Sequence, residues 1–478
     1  LNDRHASLYL VSRVAAAVLN LISVALFTRL APPDVFGHYL VGFATSFIVF
    51  GTAFQWLLHA HFGVYTPARA TRLAVALCAL LGAIALAALI VLGGAIAFGL
   101  IGAPQGLGIA ALVLGLVVHI AAVEVGRAQL LVGQVTVASL LRGVLMLALG
   151  CATLLVLKDA TALLAAIGLT HILAALPVLL ALRQGIWKAG FVSPERSDVL
   201  ALLTYGWPLI LALMAGALSI NLDRIALGWW AGAGAVGPYG AVADIIRQSF
   251  VVLGEAIAAA YVSQAKALAA EREASRTILR RAFVTLWVIV VFGVVGFVLF
   301  GTGVISVVLA PDYRDSALAA MPILVLGTAC LVLRAYYFGQ VIYFAGSARR
   351  EVRASLLMVA VAAASCAILI PPFGLIGAAT AFTATQATGL AYFLIADRKT
   401  AIMPIDWTQA GTATVIAIAT ALLAALIMAG LGGVVGWFGG LAITLLGGIG
   451  LAVMWNLFDL GRIAAYLLTR LAPSSRSS

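Results

Sequence analysis

Residues 219–255 read SINLDRIALGWWAGAGAVGPYGAVADIIRQSFVVLGE: the end of one long apolar helix, a Gly/Ala/Pro turn, and most of a second helix. Set into that background are Asp223, Arg224, Asp244, Arg247 and Glu255. A charge near the centre of a bilayer costs about 2.5–3.5 kcal/mol on insertion scales, so such side chains face a cavity or a partner. At about 100° per residue, Arg247 lies about 60° around the second helix from Asp244, and Glu255 about 20° from it. The three therefore share one face, which is expected to line an internal chamber.

Composition leads to the same class. Of 478 residues, 64% are hydrophobic and 9% charged, against about 25% charged in a soluble domain. Mean hydropathy is +1.16. The chain reads as an all-α, polytopic integral membrane protein. A membrane helix needs about 20 mostly apolar residues, and on that basis about fourteen spans are predicted, the first at 7–30 and the last at 434–455. Their breaks carry turn chemistry: Pro32-Pro33, Pro104, Pro311-Asp312, Pro371-Pro372 and Gly432-Gly433. No short apolar region with a small-residue cleavage site precedes the first span, so no signal peptide is expected.

The net charge of +11 does not point to nucleic acid, because Lys and Arg fall mostly in short loops between spans. Of the 28, nineteen lie on the side that holds the N-terminus. Three (Arg29, Lys158, Arg314) lie on the other, and six (Arg13, Arg127, Arg142, Arg224, Arg247, Arg334) fall within spans. The bias predicts that both termini are cytoplasmic. Arg exceeds Lys by 24 to 4, a composition expected of a bacterial chain. Cys78, Cys151, Cys330 and Cys366 lie in apolar runs without a CxxC or a His/Cys cluster. Neither a disulfide, a metal site nor a cofactor is expected.

The longer polar segments are all on the predicted cytoplasmic side. One of them, 183–203, falls midway along the chain and has the makings of a surface helix after Ser197. A faint repeat at an offset of 200 residues supports a division there: Phe36-Gly37-His38-Tyr39 and Val236-Gly237-Pro238-Tyr239 each open a helix. The domains read as an N-terminal six-helix lobe (1–182), a cytoplasmic linker (183–203), a second six-helix lobe (204–396), and a C-terminal helix pair with an amphipathic tail (397–478). Parallel repeats of this kind build several transporter folds.

With those residues in view, the chain resembles the Wzx-type oligosaccharide-lipid flippases, polysaccharide biosynthesis proteins of the multidrug/oligosaccharidyl-lipid/polysaccharide exporter superfamily. The likeness covers nearly the whole chain. It rests on the Ser12-Arg13 helix ending FTRLAPPDVFGHY (27–39) and on LDRIALGWWAGAGAVGPYGAVADI (222–245). The basic loop after the eighth span, and PFGLIGAATA (372–381) opening a late one, add to it. The resemblance implies two lobes forming a V, alternating access, and a central cavity for a lipid-linked sugar in a bacterial inner membrane. A polysaccharide polymerase or chain-length regulator is then a candidate partner, beside membrane lipids.

Within the spans, six Arg stand against four acids: Glu124, Asp223, Asp244 and Glu255. An excess of guanidinium suits an anionic cargo, because its planar fork grips phosphate bidentately. Arg247, midway along its span, is the leading candidate. Arg334 sits deep in the tenth span, and Arg13 and Arg142 lie about 10 Å in from the cytoplasmic ends. Asp223, Arg224, Asp244, Glu255 and Glu124 are candidates for coupling or gating; whether the acids carry ions or only offset Arg charge stays open. Glu124 and Arg127, three apart on one helix, also read as a structural pair, and His119 as an interior polar group.

No lysine completes GxxxxGK[ST], and there is no HExxH or GxSxG. Any uphill transport must therefore draw on an ion gradient, the membrane potential or consumption of the product. The alternatives are an ion-coupled drug or cation exporter, and a polymerase- or ligase-type membrane enzyme. The exporter would want acids in its N-terminal lobe, and the enzyme a large periplasmic loop.

Overall fold

The computed structural model describes residues 3–189, 193–268, 271–344, 349–398, 400, 402–455 and 457; side chains are described from residue 15 onward, except 184–189. The C-terminal amphipathic tail lies outside these residues. Among them no strand occurs. The helices are, in order, α1 (Asp3–Leu30), α2 (Pro33–Ala53), α3 (Gln55–Val64), α4 (Ala70–Ala97), α5 (Ala103–Ala128), α6 (Val132–Val156), α7 (Ala160–Ala189) and α8 (Arg196–Gly206). They continue as α9 (Ile210–Ala231), α10 (Ala233–Ile257), α11 (Ser263–Ala267), α12 (Arg272–Val308), α13 (Pro311–Tyr336), α14 (Arg349–Asp397), α15 (Trp407–Leu431) and α16 (Gly433–Met454).

Twelve helices are long and apolar enough to cross a membrane, and the described part of α1 adds a shorter apolar helix, Ala15–Leu30. The protein is a multi-pass membrane protein. The predicted break at Pro371-Pro372 falls inside α14, where Gly374 adopts φ 51°, ψ −124°. Proline withholds an amide donor, and glycine alone tolerates that backbone without strain. The chain reverses there so tightly that a Cβ on Gly377 would strike the carbonyl of Leu369. Thus α14 is two spans, and with α1 the fourteen predicted segments are all helical.

Two spans differ from the sequence reading. The second breaks at Phe54 (φ −121°, ψ −36°) and continues as α3. The seventh is preceded by α8, and a 3₁₀ turn at Trp207–Leu209 around Pro208 separates the two. The surface helix expected after Ser197 thus starts at Arg196, closed by a capping box between Glu195 and Asp198. Arg69 Nε donates to the buried Asp198 carboxylate at 2.9 Å, and Arg72 pairs with Glu195.

The chain divides into two compact units: Leu1–Val252 with Ile305–Gly327 and Glu351–Gly389, and Leu253–Val304 with Thr328–Arg350 and Leu390–Ser478. In the first, α5 and α6 pack on α7, α1 on α6, and α2 on α9. Arg29 donates to the carbonyls of Val307 and Val308, closing the C-terminus of α12. In the second, α15 and α16 form a hairpin in which Gly436 and Gly440 let Met428 approach. Trp287 Nε1 ties α12 to α15 through the Ala410 carbonyl (3.1 Å) and Thr414 Oγ1 (3.0 Å).

The 200-residue repeat is a physical contact within the first unit. A Cβ on Gly37 would strike the carbonyl of Ala233, and one on Gly237 would strike the carbonyl of Pro33. Each glycine lies under the residue that opens the other helix, so α2 and α10 meet backbone to backbone. Gly37→Val and Gly237→Val should each lower stability by about 1–3 kcal/mol through overpacking. Gly216→Val, where nothing lies within 4 Å, should not; thermal unfolding in detergent distinguishes them.

Candidate functional site

The quoted stretch folds so that α9 and α10 answer each other's charges. Arg224 on α9, 3% exposed, donates to Asp244 on α10. Asp223, the neighbouring residue on α9, accepts from the Tyr239 hydroxyl and from Arg247 Nη2 at 3.4 Å, both on α10. Successive residues on a helix point about 100° apart, so Asp223 and Arg224 reach different partners and the two ion pairs run side by side. Arg247 is also held by Phe382, with its guanidinium carbon 4.4 Å from the ring centroid. Gln386, fully buried on α14, donates to the Ser219 carbonyl at 3.3 Å. The satisfaction is incomplete: Asp223 Oδ1, Arg224 Nε and Arg247 Nε are buried without a hydrogen-bond partner.

Beside this cluster lies a cavity of about 320 Å³. Its charged wall is Arg142 from α6 and Asp244 and Arg247 from α10, with His171 from α7, Gln248 from α10 and Asn20 from α1. Aromatic rings of α1 and α2 close the other side, with Phe36 and Tyr39 stacked at 5.7 Å. Among the described residues Arg142 has no carboxylate within 4 Å. His171 shares Nδ1 with the Ile167 carbonyl at 2.8 Å and packs edge-on against His119 at 5.5 Å. His119 Nδ1 is buried and unbonded.

The arrangement is electropositive. Asp244 is engaged by Arg224 and Asp223 by Arg247 and Tyr239, which leaves Arg142 as uncompensated charge facing the cavity. A guanidinium in a low-dielectric wall binds phosphate or carboxylate more strongly than it would in water.

The residues singled out in the sequence sort as follows. Arg142, Arg247 and Asp244 line the cavity; Asp223 and Arg224 stand directly behind it. Glu255 does not line it: it accepts from the Tyr336 hydroxyl at 3.4 Å within the second unit. It shares the azimuth of Asp244 but lies eleven residues on, about 16 Å along the axis. Arg334, 8% exposed on α13, also belongs to the second unit and not to the cavity wall. Glu124 pairs with Arg127 at 2.9 Å on α5, away from the cavity lining. Arg13 lies on α1, its side chain outside the described residues. Sequence reasoning passed over His171, Asn20 and Gln248, and noted Tyr39 and Tyr239 only as repeat markers.

No protein-family model and no curated protein matches the sequence. Solved structures do resemble it. The lipid II flippase MurJ, in an inward-closed conformation, aligns with a TM-score of 0.74 over 93% of this chain and 98% of its own, at 10% identity. A MATE transporter in complex with MaL6 gives 0.54 over 84% and 96%, at 15% identity. A MOP-superfamily transporter from Pyrococcus furiosus Vc1 (DSM3638) gives 0.51 over 84% and 95%, at 13%. At these identities the likeness establishes the fold, which is that of MOP-type transporters.

The paired charges make opposite predictions for single and double substitutions. Arg224→Leu leaves Asp244, one-third exposed at the cavity, without its partner and should cost about 1–3 kcal/mol, read as a fall in thermal stability in detergent. Arg224→Leu with Asp244→Leu should recover most of that loss.

Proposed function

We propose that this protein is a flippase for a polyprenyl-pyrophosphate-linked oligosaccharide. It carries that lipid from the cytoplasmic to the periplasmic face of a bacterial inner membrane for lipopolysaccharide or exopolysaccharide assembly. The observation that supports this most directly is the cavity wall, where Arg142 and Arg247 face the same space and the nearby acids are already engaged. Two guanidinium groups at one cavity match the two phosphates of a pyrophosphate head. Phe382 fixes the plane of Arg247, so less conformational freedom is lost on binding. The cavity volume equals that of about ten waters at roughly 30 Å³ each, enough for the pyrophosphate and the first part of a sugar. The polyprenyl tail needs no cavity and stays in lipid.

On this reading the lobes 1–182 and 204–396 open alternately to the two faces, with both termini cytoplasmic. Outward movement needs no nucleotide site, because the headgroup carries its own driving force. Two negative charges leaving a negative interior gain about 4–5 kcal/mol per 100 mV of membrane potential.

The MATE-like reading, export of a cationic drug, calls for a free carboxylate on the wall. Asp244 is the one acid there among the described residues, and Arg224 neutralises it. Transporter neighbours and the lack of a catalytic motif weigh against a polymerase or ligase.

Reconstitution with a fluorescent lipid-linked sugar tests the proposal. Arg142→Ala and Arg247→Ala should each slow translocation about tenfold to a hundredfold, the worth of a charge-assisted hydrogen bond. Arg247→Lys should recover part of the rate. Equal rates in wild type and both alanine variants would remove the arginines from the mechanism; an inactive wild type would count against the flippase itself.

A further inference from the structure

The second unit holds a basic pocket that the translocation cavity does not use. It measures about 590 Å³ and is walled by Arg276 and Arg280 of α12, by Asp397 and Arg398 at the end of α14, and by Trp407 at the start of α15. Its floor is apolar and buried, with Phe338 and Met403 each at most 2% exposed.

The negative charge in this pocket is already committed. Asp397 accepts from Thr400 Oγ1, Ile402 N and Met403 N, each at 3.0 Å, and pairs with Arg350 at 3.6 Å. It therefore organises the turn into α15, and the Tyr337 hydroxyl pins the end of that turn through the Pro404 carbonyl. The three arginines of the wall are poorly answered. Arg280 and Arg398 have no carboxylate within 4 Å among the described residues. Arg276 has only a distant contact with Glu273 at 3.8 Å, and its Nε is buried without a partner. Arg276 thus carries a charge that no acid within the pocket answers closely.

The pocket also opens onto a surface built for hydrocarbon. Trp407 is 68% exposed, and two turns further on Val415, Ile418, Leu422 and Leu426 form an exposed stripe of α15 at three- and four-residue spacing. A tryptophan at the head of such a stripe marks the level of the lipid headgroups. The arginines thus lie at headgroup depth and the stripe at acyl-chain depth.

We propose that Arg276, Arg280 and Arg398 hold the phosphate of an acidic phospholipid, whose acyl chains lie along the Trp407–Leu426 stripe of α15. The phosphate takes the unpaired guanidinium donors that Asp397 leaves unmet. The lipid is a resident of the α12–α14–α15 junction, separate from any cargo in the first unit.

The test is native mass spectrometry of the full chain released from mixed micelles containing phosphatidylglycerol and phosphatidylethanolamine. The wild type should retain phosphatidylglycerol selectively. Arg280→Gln with Arg398→Gln, both at exposed positions, should weaken retention about fivefold for each arginine removed. Arg280→Lys with Arg398→Lys keeps the charge and should keep the preference. Arg272→Gln, exposed on the same helix outside the pocket, should change nothing. Trp407→Ala should weaken lipid retention without affecting inorganic phosphate. Equal retention in the double glutamine variant, or no preference between the two lipids, would overturn the site. Displacement of the lipid by millimolar inorganic phosphate would overturn the lipid assignment in favour of a soluble anion.

Discussion

Hydrocarbon cannot solvate charge, and the two ion pairs between α9 and α10 are how this protein meets that constraint. Arg224 with Asp244, and Asp223 with Arg247 and Tyr239, bury Asp223, Arg224 and Tyr239 and leave Asp244 and Arg247 at the cavity. Replacing such pairs with apolar residues is often neutral for stability. Their presence therefore has to be accounted for by what they leave over. What they leave is a cavity wall whose one acid is engaged by Arg224, whose Arg247 is shared with Asp223, and whose Arg142 has no carboxylate within 4 Å among the described residues.

Structural and functional readings of a buried charge are thus not exclusive within one cluster. Arg224 is enclosed and committed to its partner. Arg247 is shared: its guanidinium lies over Phe382, one nitrogen reaches Asp223, and the residue also lines the cavity. Arg142 stands opposite this division of labour, on a helix with no acid of its own. Gln248, Asn20 and Tyr39 line the same cavity and add hydrogen-bonding groups to its wall. A site so built discriminates by charge first and by hydrogen bonding second.

Much of the fold was legible because a bilayer permits so few backbone solutions. Helices of span length follow from apolar runs, and Pro32, Pro104 and Pro371 mark their ends in the sequence as they do in space. The bend at Phe54 has no proline, and Gly51 three residues before it is one of many glycines inside spans, so nothing in the sequence singles it out. Arg142, Arg247 and Asp244 were legible for the reason that they are costly. Glu255 shows the limit of a helical projection, which reports direction around an axis but not depth along it. His171 and Asn20 were invisible because single polar residues in spans are common. Only the packing of α7 and α1 against the same space selects these two.

The reciprocal seating of Gly37 beneath Ala233 and Gly237 beneath Pro33 has a geometric corollary. Both contacts are made by backbone, so no change of side-chain rotamer relieves either of them. The spacing of α2 and α10 at this point is therefore set by the main chain itself, and set twice over.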